Sequence, residues 1–223
     1  MKKTLIFCVI FMLFPTIALC STTKVLDRDT ELHPQGWTAG SLKFKQGTAV
    51  ELNECGEVIS GVLKSYENLR PAGSGTTGFG SWGTPSHGGY LSFKGDNFIT
   101  IFDEHGYVTS GTIGEDSDIY LCPNNEPMVN FKFGTAVSFD KDGNLINGTL
   151  KENTYLRPAG WNKLSATNSD GGFLKFQAGT EVVFGPNAQV IKGTIMDGLT
   201  INGRIYPAGT KLQFSESDNP QRI

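Results

Sequence analysis

Histidine, cysteine and long apolar runs are scarce in this sequence of 223 residues. The three histidines, His33, His87 and His105, do not form the His-Glu-x-x-His pattern of zinc enzymes, and Cys55 and Cys122 have no neighbour at zinc-ligand spacing. A Gly-x-Ser-x-Gly nucleophile turn and a phosphate loop ending in Gly-Lys-Ser/Thr are also absent from the sequence. We therefore predict no metal and no cofactor.

A short apolar run lies at the N-terminus, where two lysines precede residues 4–14 and small residues such as Ala18 follow. This run falls well short of the ~20 apolar residues that a membrane-spanning helix needs. A basic start, a short apolar stretch and small residues are the three parts of a secretory signal peptide. We predict a signal peptide over residues 1–20, a single β-repeat domain over residues 21–223 and no membrane-spanning segment.

Three fates of the N-terminus fit the sequence, and all of them predict a periplasmic, cell-surface or extracellular location. Cleavage after Cys20, which we favour, leaves Cys55 and Cys122, and two cysteines in an oxidising compartment suggest one disulfide. Residues 17–20 resemble the lipobox of bacterial lipoproteins, and a lipid on Cys20 would anchor the protein. Their third position, however, is a leucine where that motif has a small residue. Cleavage after Ala18 is the third fate.

The overall charge argues against a nucleic-acid partner. The formal net charge is −3, and loss of the first twenty residues removes two lysines and no acid, which brings the charge to −5. Binding dominated by phosphate contacts needs a basic surface, so nucleic acid is not predicted as a partner.

The chain is built from repeats. Each copy is a nine-residue segment, followed by a turn rich in Asp, Asn and Gly and by a glycine five residues beyond that turn. The copies are residues 44–52, 131–139 and 176–184, with a degenerate one at 93–101, and the glycines are Gly61, Gly111, Gly148 and Gly193.

The repeated pattern predicts β-hairpins. Apolar residues alternate in residues 135–139 (TAVSF), and a turn separates the two arms of each copy. We expect the repeated glycine to mark a bulge or a close approach of neighbouring backbone. Alternation at the strand period of two predicts the core: Leu42, Phe44, Val50, Leu52, Phe93, Ile99, Ile101, Val137, Phe139, Ile146, Leu150, Phe176, Val182, Phe184, Ile191 and Ile195.

The predicted fold is all-β, with about four antiparallel hairpin units and half-units at both ends. Residues 25–37 resemble the second half of a unit and residues 206–214 the first half. Pairing of these ends would close a barrel or propeller-like ring, whereas trimmed ends would leave an open repeat sheet. Closure would remove exposed edges and is mildly favoured, although spacings of 50, 37 and 45 residues between the repeated glycines argue against a symmetric ring.

Residues 148–156 (GTLKENTYL), following residues 139–145 (FDKDGNL), are similar to the hairpins of bacterial variant MORN-type proteins (membrane occupation and recognition nexus). Those chains repeat the pattern aromatic-x-x-x-Gly-x-φ-x-x-Gly-x-φ, in which φ is apolar. The resemblance implies an antiparallel sheet built from hairpins and a role in binding or scaffolding.

A Pro-x-Gly element follows the hairpins, as in residues 154–161 (TYLRPAGW). The residue before the proline differs among the five copies, which have four different kinds of side chain at that position. We therefore interpret the element as a strand-terminating turn rather than a shared ligand contact. The residues in that position are His33, Arg70, Cys122, Arg157 and Tyr206.

Aromatic residues in loops are the candidate ligand contacts. A glycine-rich insertion at residues 74–90 and a shorter loop at residues 161–172 occupy equivalent places, so we expect both on one rim. Alternatively, the aromatic residues of the insertion cover the open end of the sheet. With the arginines and tryptophans of the Pro-x-Gly elements, the candidate contacts are Trp37, Arg70, Phe79, Trp82, His87, Tyr90, Arg157 and Trp161.

The favoured function is that of a secreted, non-catalytic binding or surface-structural module of the bacterial cell envelope, with an envelope glycan or protein as partner. The alternative is a secreted polysaccharide hydrolase with a carboxylate pair on one rim. Asp140-x-Asp142-Gly143 lacks the first and twelfth ligands of an EF-hand loop and is interpreted as a plain turn.

Overall fold

The computed structural model describes residues 21–37, 40–72, 89–122, 125–167, 171–216 and 219–223, without the side chains of Cys122 and residues 125–127. The predicted signal peptide and the candidate contacts Phe79, Trp82 and His87 lie outside these ranges. Within them the fold is all-β, as predicted, with a 3-10 helix over Trp161–Lys163. No helix of this described part is long and apolar enough to cross a membrane.

The described strands form one large antiparallel sheet and five two-stranded ribbons. In spatial order the large sheet contains β1 (Thr22–Val25), β4 (Ala49–Leu52), β5 (Val58–Val62), β8 (Ile99–Phe102), β9 (Val108–Thr112), β12 (Ala136–Phe139), β13 (Leu145–Thr149), β16 (Glu181–Phe184), β17 (Val190–Thr194), β20 (Lys211–Gln213) and β21 (Gln221–Arg222). The ribbons are β2 (Thr30–Leu32) with β3 (Leu42–Phe44), β6 (Glu67–Leu69) with β7 (Leu91–Phe93), β10 (Ser117–Cys122) with β11 (Asn125–Phe131), β14 (Thr154–Leu156) with β15 (Leu174–Phe176), and β18 (Leu199–Ile201) with β19 (Arg204–Tyr206).

The large sheet is open, with β1 and β21 at its two edges. β21 pairs with β20 through Gln213 and Gln221 and through Leu212 and Arg222. This short strand occupies the edge that β1 would need in a closed ring. Of the two predicted arrangements, the open repeat sheet is therefore the one observed, and closure, which the sequence mildly favoured, is wrong.

Each edge strand has a lysine or an arginine at the position where inner strands have the repeated glycine, opposite a buried residue of the neighbouring strand. Lys24 of β1 pairs with Val50, in the register that the inner glycines adopt. Arg222 of β21 places its guanidinium 5.6 Å from the ring centroid of Tyr206 and donates from Nη2 to the Ile205 carbonyl (2.9 Å). Charged edge strands discourage pairing with other chains.

Each repeated glycine lies against the ring of a ribbon phenylalanine. A β-carbon added to Gly148 would come within 2.5 Å of Cδ1 of the fully buried Phe131. The glycine therefore makes room for an aromatic ring, which replaces the predicted bulge or backbone contact. The corresponding distances are 2.8 Å for Gly61 with Phe44, 2.6 Å for Gly111 with Phe93 and 2.7 Å for Gly193 with Phe176.

A β-bulge follows the turn in each of the four sheet hairpins and changes which residues face the core. In β12 and β13, Ser138 pairs with Asn147 and Phe139 with Leu145, which leaves Ile146 unpaired. An extra residue in one strand interrupts the alternation of faces. Leu145 is therefore buried, whereas Ile146, predicted in the core, is 38% exposed.

The repeat unit at residues 93–101 contains one extra residue between the ribbon strand β7 and the sheet strand β8. Thr100, the first buried residue of β8, lies seven positions after Phe93, while Val137, the first buried residue of β12, lies six after Phe131. An ungapped comparison of the copies puts Ile99 and Ile101 in the core, but they face outward and are 59% and 39% exposed. The other predicted core residues are buried, apart from Leu52 and Ile191, which are partly buried.

Candidate functional site

Three Pro-x-Gly elements, which begin at Pro34, Pro71 and Pro158, lie at the end of the large sheet where the hairpin turns are. Residues 207–209 lie at the opposite end, where the Gly209 N–H donates to the Ile195 carbonyl (2.9 Å). In the third element, the Val190 N–H donates to the Arg157 carbonyl (2.8 Å) and the Ala159 N–H donates to the Val190 carbonyl (2.9 Å). Proline between them has no N–H to satisfy. These bonds give the element a structural role. We call this end the turn rim: it comprises Pro34, Pro71 and Pro158, which bridge Val58, Val108 and Val190, and the turns at residues 53–56, 103–106, 140–143 and 185–188.

Arg157 is held between two aromatic rings at the turn rim. Its guanidinium carbon lies 4.4 Å from the ring centroid of Trp161 and 4.5 Å from that of Phe173. A β-carbon on Gly172 would collide with the Trp161 ring, so glycine at that position lets the ring take its place. Both distances are within the range of cation–π contact, and the N–H groups of a guanidinium, which lie in its own plane, can still donate hydrogen bonds to a ligand. We call Arg157, Trp161 and Phe173 the Arg157 clamp.

Arg70 makes a related stack in the first unit. Its guanidinium carbon lies 4.9 Å from the ring centroid of Tyr90, and its carbonyl accepts a hydrogen bond from Val108 (2.8 Å). Arg70 and Arg157 are both exposed and lie beside β9 and β17, which are four strands apart in the sheet. A strand spacing of ~4.8 Å separates the two arginines by roughly 19 Å.

Trp37, the remaining described tryptophan among the candidate contacts, connects the first unit to the second. Its indole Nε1–H donates to the Gly106 carbonyl (2.9 Å), and Gln35 Nε2 donates to the Phe102 carbonyl (2.7 Å). A β-carbon on Gly106 would collide with the Trp37 ring. These contacts give Trp37 a role in joining neighbouring sheet hairpins.

We expect Gly106→Ala to destabilise the protein more than Gly56→Ala. Both glycines end equivalent turns with φ of 80° and 78°, so both variants carry the strain of a left-handed alanine, about 1 kcal/mol. Only Gly106 faces the Trp37 ring, and the collision should add about 1–3 kcal/mol. Urea unfolding measures both losses. In a Trp37→Ala background the two losses should become similar, and equal losses in the native background would contradict the contact.

A shallow pocket of about 230 Å³ adjoins the 3-10 helix that carries Trp161. Lys163 Nζ donates to the Glu216 carbonyl (2.8 Å), and Asn202 Nδ2 donates to Asn219 Oδ1 (2.6 Å). An ammonium group has three donors, so this bond leaves Lys163 two more. The pocket is lined by Gly160, Lys163, Leu164, Asn202, Ser215, Glu216 and Asn219.

Carboxyl groups at the turn rim stabilise the turns themselves. Asp140 Oδ1 accepts hydrogen bonds from the N–H groups of Asp142 and Asn144, both at 2.9 Å, and Asp103 does the same in its own turn. In the described part of the chain no group of three or more His, Cys, Asp or Glu residues is placed to hold a metal ion. These bonds favour the plain-turn interpretation of Asp140-x-Asp142-Gly143.

Two carboxyl groups with shifted pKa values lie at the opposite end of the sheet. The Phe133 N–H and the Lys151 ammonium lower the pKa of Asp116, and the Gln46 N–H and Lys64 lower that of Asp29. A general acid of a glycosidase needs a raised pKa, which is the reverse of these shifts.

Cys55 is a free and exposed thiol in the turn at residues 53–56. Its N–H donates to Asn53 Oδ1 (3.0 Å), which holds the residue in the turn. The predicted Cys55–Cys122 disulfide is therefore absent from the structure. Sequence spacing alone could not show where the two cysteines lie relative to each other.

An aromatic group that the sequence analysis missed lies at the end opposite the turn rim. Lys94 Nζ is 5.1 Å from the ring centroid of Phe98 and 5.2 Å from that of Phe133, which is 45% exposed. Phe133 occupies the position that is Gln46 in the first copy and Ala178 in another. A phenylalanine where other copies have polar or small residues is the signal that could have revealed it.

Of the candidate contacts, the structure brings Arg157 together with Trp161 and Arg70 together with Tyr90. Comparison with known proteins finds no matching family model, no similar curated protein and no similar solved structure. The likeness to MORN-type repeats therefore stays a prediction.

Proposed function

We propose that this protein is an exported, non-catalytic binding module of the bacterial cell envelope, and that the turn rim is its binding surface. The observation that carries the proposal is the exposed Arg157 stacked between Trp161 and Phe173. An arginine held in this way loses little side-chain freedom on binding a ligand, which is the advantage of a preorganised site. Export rests on the signal-peptide pattern at the N-terminus.

The scaffold supports binding because it fixes the rim. The main chain at Arg157 and at Arg70 is bonded to the large sheet, so both arginines project from rigid backbone. Binding residues on a rigid scaffold are typical of recognition modules. The rim carboxyl groups Asp103 and Asp140 are committed to turns, which favours binding over the alternative of polysaccharide hydrolysis.

A glycan array followed by pull-down from envelope fractions tests the proposal. We expect the native protein to retain an envelope component, and the Arg70→Ala/Arg157→Ala double variant to lose at least tenfold in affinity, because charge-assisted contacts are the strong ones. Arg28→Ala is the matched control, since it removes one exposed cation at the opposite end of the sheet.

Two results would contradict the proposal. One is unchanged retention by the double variant, which would move binding away from the turn rim. The other is turnover of a polysaccharide panel that is lost in Asp103→Asn or Asp140→Asn, which would favour the hydrolase instead.

A further inference from the structure

We infer that the Arg157 clamp and the adjoining pocket form one site for a saccharide unit that carries a carboxylate, such as a uronic acid. This inference rests on the proposed binding function and names the chemical class of the ligand.

The clamp supplies the anion contact. The Arg157 guanidinium lies against the rings of Trp161 and Phe173, and all of its N–H donors lie in its own plane. Two parallel donors in one plane match the two oxygens of a carboxylate, and this bidentate arrangement adds geometric selectivity to charge. Within the described residues, no hydrogen bond or ion pair engages this guanidinium.

The pocket supplies contacts for hydroxyl groups. Lys163 contributes ammonium donors, Asn219 contributes an amide, and Glu216 contributes acceptor oxygens. A mixture of donors and acceptors suits sugar hydroxyls, which both give and accept hydrogen bonds, better than a bare anion. The volume of about 230 Å³ lies below the ~300 Å³ of the smallest drug-sized pockets, which fits one ring.

The 3-10 helix connects the two parts. Trp161, its first residue, stacks on Arg157, while Lys163, its last residue, lines the pocket together with Gly160. Gly160 has φ of 71°, and a β-carbon there would come within 2.5 Å of the Ser215 carbonyl oxygen, so the chain turns closely against the pocket wall. One short element thus fixes the position of the pocket relative to the guanidinium.

Isothermal titration with matched oligosaccharides tests the site. The probes are a galacturonate tetrasaccharide, its fully methyl-esterified form and a short polyglutamate, which separate the carboxylate, the sugar and the bare polyanion. We expect the acidic tetrasaccharide to bind at least tenfold more tightly than the ester and than polyglutamate.

Variants then assign the contacts. Arg157→Lys keeps the charge but loses the planar donors, and we expect it to weaken binding of the acidic tetrasaccharide about tenfold or more. Lys163→Gln should weaken binding of both saccharides by a similar factor, whereas Arg28→Ala should change neither. Unchanged melting temperatures verify folding, because the hydrogen bonds at residue 157 involve its main chain.

The outcomes distinguish this inference from the proposed function. Equal binding of the acid and the ester, or full binding by Arg157→Lys, overturns the carboxylate site. If neither tetrasaccharide binds while the arginine double variant still loses its envelope component, the saccharide inference fails and the binding module stands. Loss confined to Arg157→Lys, with Lys163→Gln unaffected, removes the pocket from the site and overturns the joint site as stated.

Discussion

Phe184→Ala should lower the free energy of unfolding by about 3–5 kcal/mol, the usual loss for a buried aromatic residue. Phe184 is 4% exposed on the core face of β16. Its ring packs edge-on against Phe131, with centroids 6.5 Å apart and an interplanar angle of 81°, so removal of one ring deprives the other of a partner. Urea unfolding monitored by circular dichroism measures the loss.

Phe133→Ala is the matched control for this change. Phe133 is also an aromatic residue of the repeat but is half-exposed at the end of the sheet, so the same truncation should cost about 0.5–1 kcal/mol. Similar losses for Phe184→Ala and Phe133→Ala would mean that the core face of β16 is misassigned.

Gly148→Ala should destabilise the protein by about 3 kcal/mol, at the upper end of the range for an overpacked core. The added methyl group would meet the ring of Phe131 at 2.5 Å, and that ring is fully buried, so the ring or the strand has to shift. A close-packed interior transmits such strain to its surroundings. Thermal and urea unfolding should agree on the loss.

Two further variants isolate the cause. Gly198→Ala adds a methyl group where the nearest atom is 3.5 Å away and φ is not left-handed, so its effect should stay within about 0.5 kcal/mol. In a Phe131→Leu background, Gly148→Ala should cost at least about 1 kcal/mol less than in the native chain, since neighbouring sites couple. An unchanged cost would show that ring contact is not the reason for glycine.

The hairpins were predictable because their signals are local. Turns rich in Asp, Asn and Gly, with alternating residues on either side, specify a two-stranded ribbon within about fifteen residues. The faces of individual strands were less predictable, because a single extra residue reverses them. The bulge at Ile146 and the insertion before Ile99 each add one residue, and neither changes the composition in a way that a pattern would detect.

The candidate site was predictable only in part, for a similar reason. Arg157 and Trp161 lie four positions apart, so their association was visible in the sequence. Phe173 reaches the same guanidinium from the residue before β15, the strand that pairs with β14 in the ribbon next to Arg157. The pocket joins Lys163 to Asn202 and Asn219, which only folding brings together. The sequence repeats also could not show that Trp37 contacts the turn at Gly106, to whose carbonyl its indole N–H donates.

The charged residues that take the place of the repeated glycine, Lys24 and Arg222, lie on the two edge strands of the large sheet. The inner units share a phenylalanine ring on the repeated glycine, three hairpins also place a valine beside a proline in the described residues, and the repeated glycines are 50, 37 and 45 residues apart. Duplication or loss of an interior unit would therefore leave both edges intact, whereas a ring with a fixed number of blades would have to reopen. A change in unit number would therefore lengthen or shorten the turn rim without altering either edge strand.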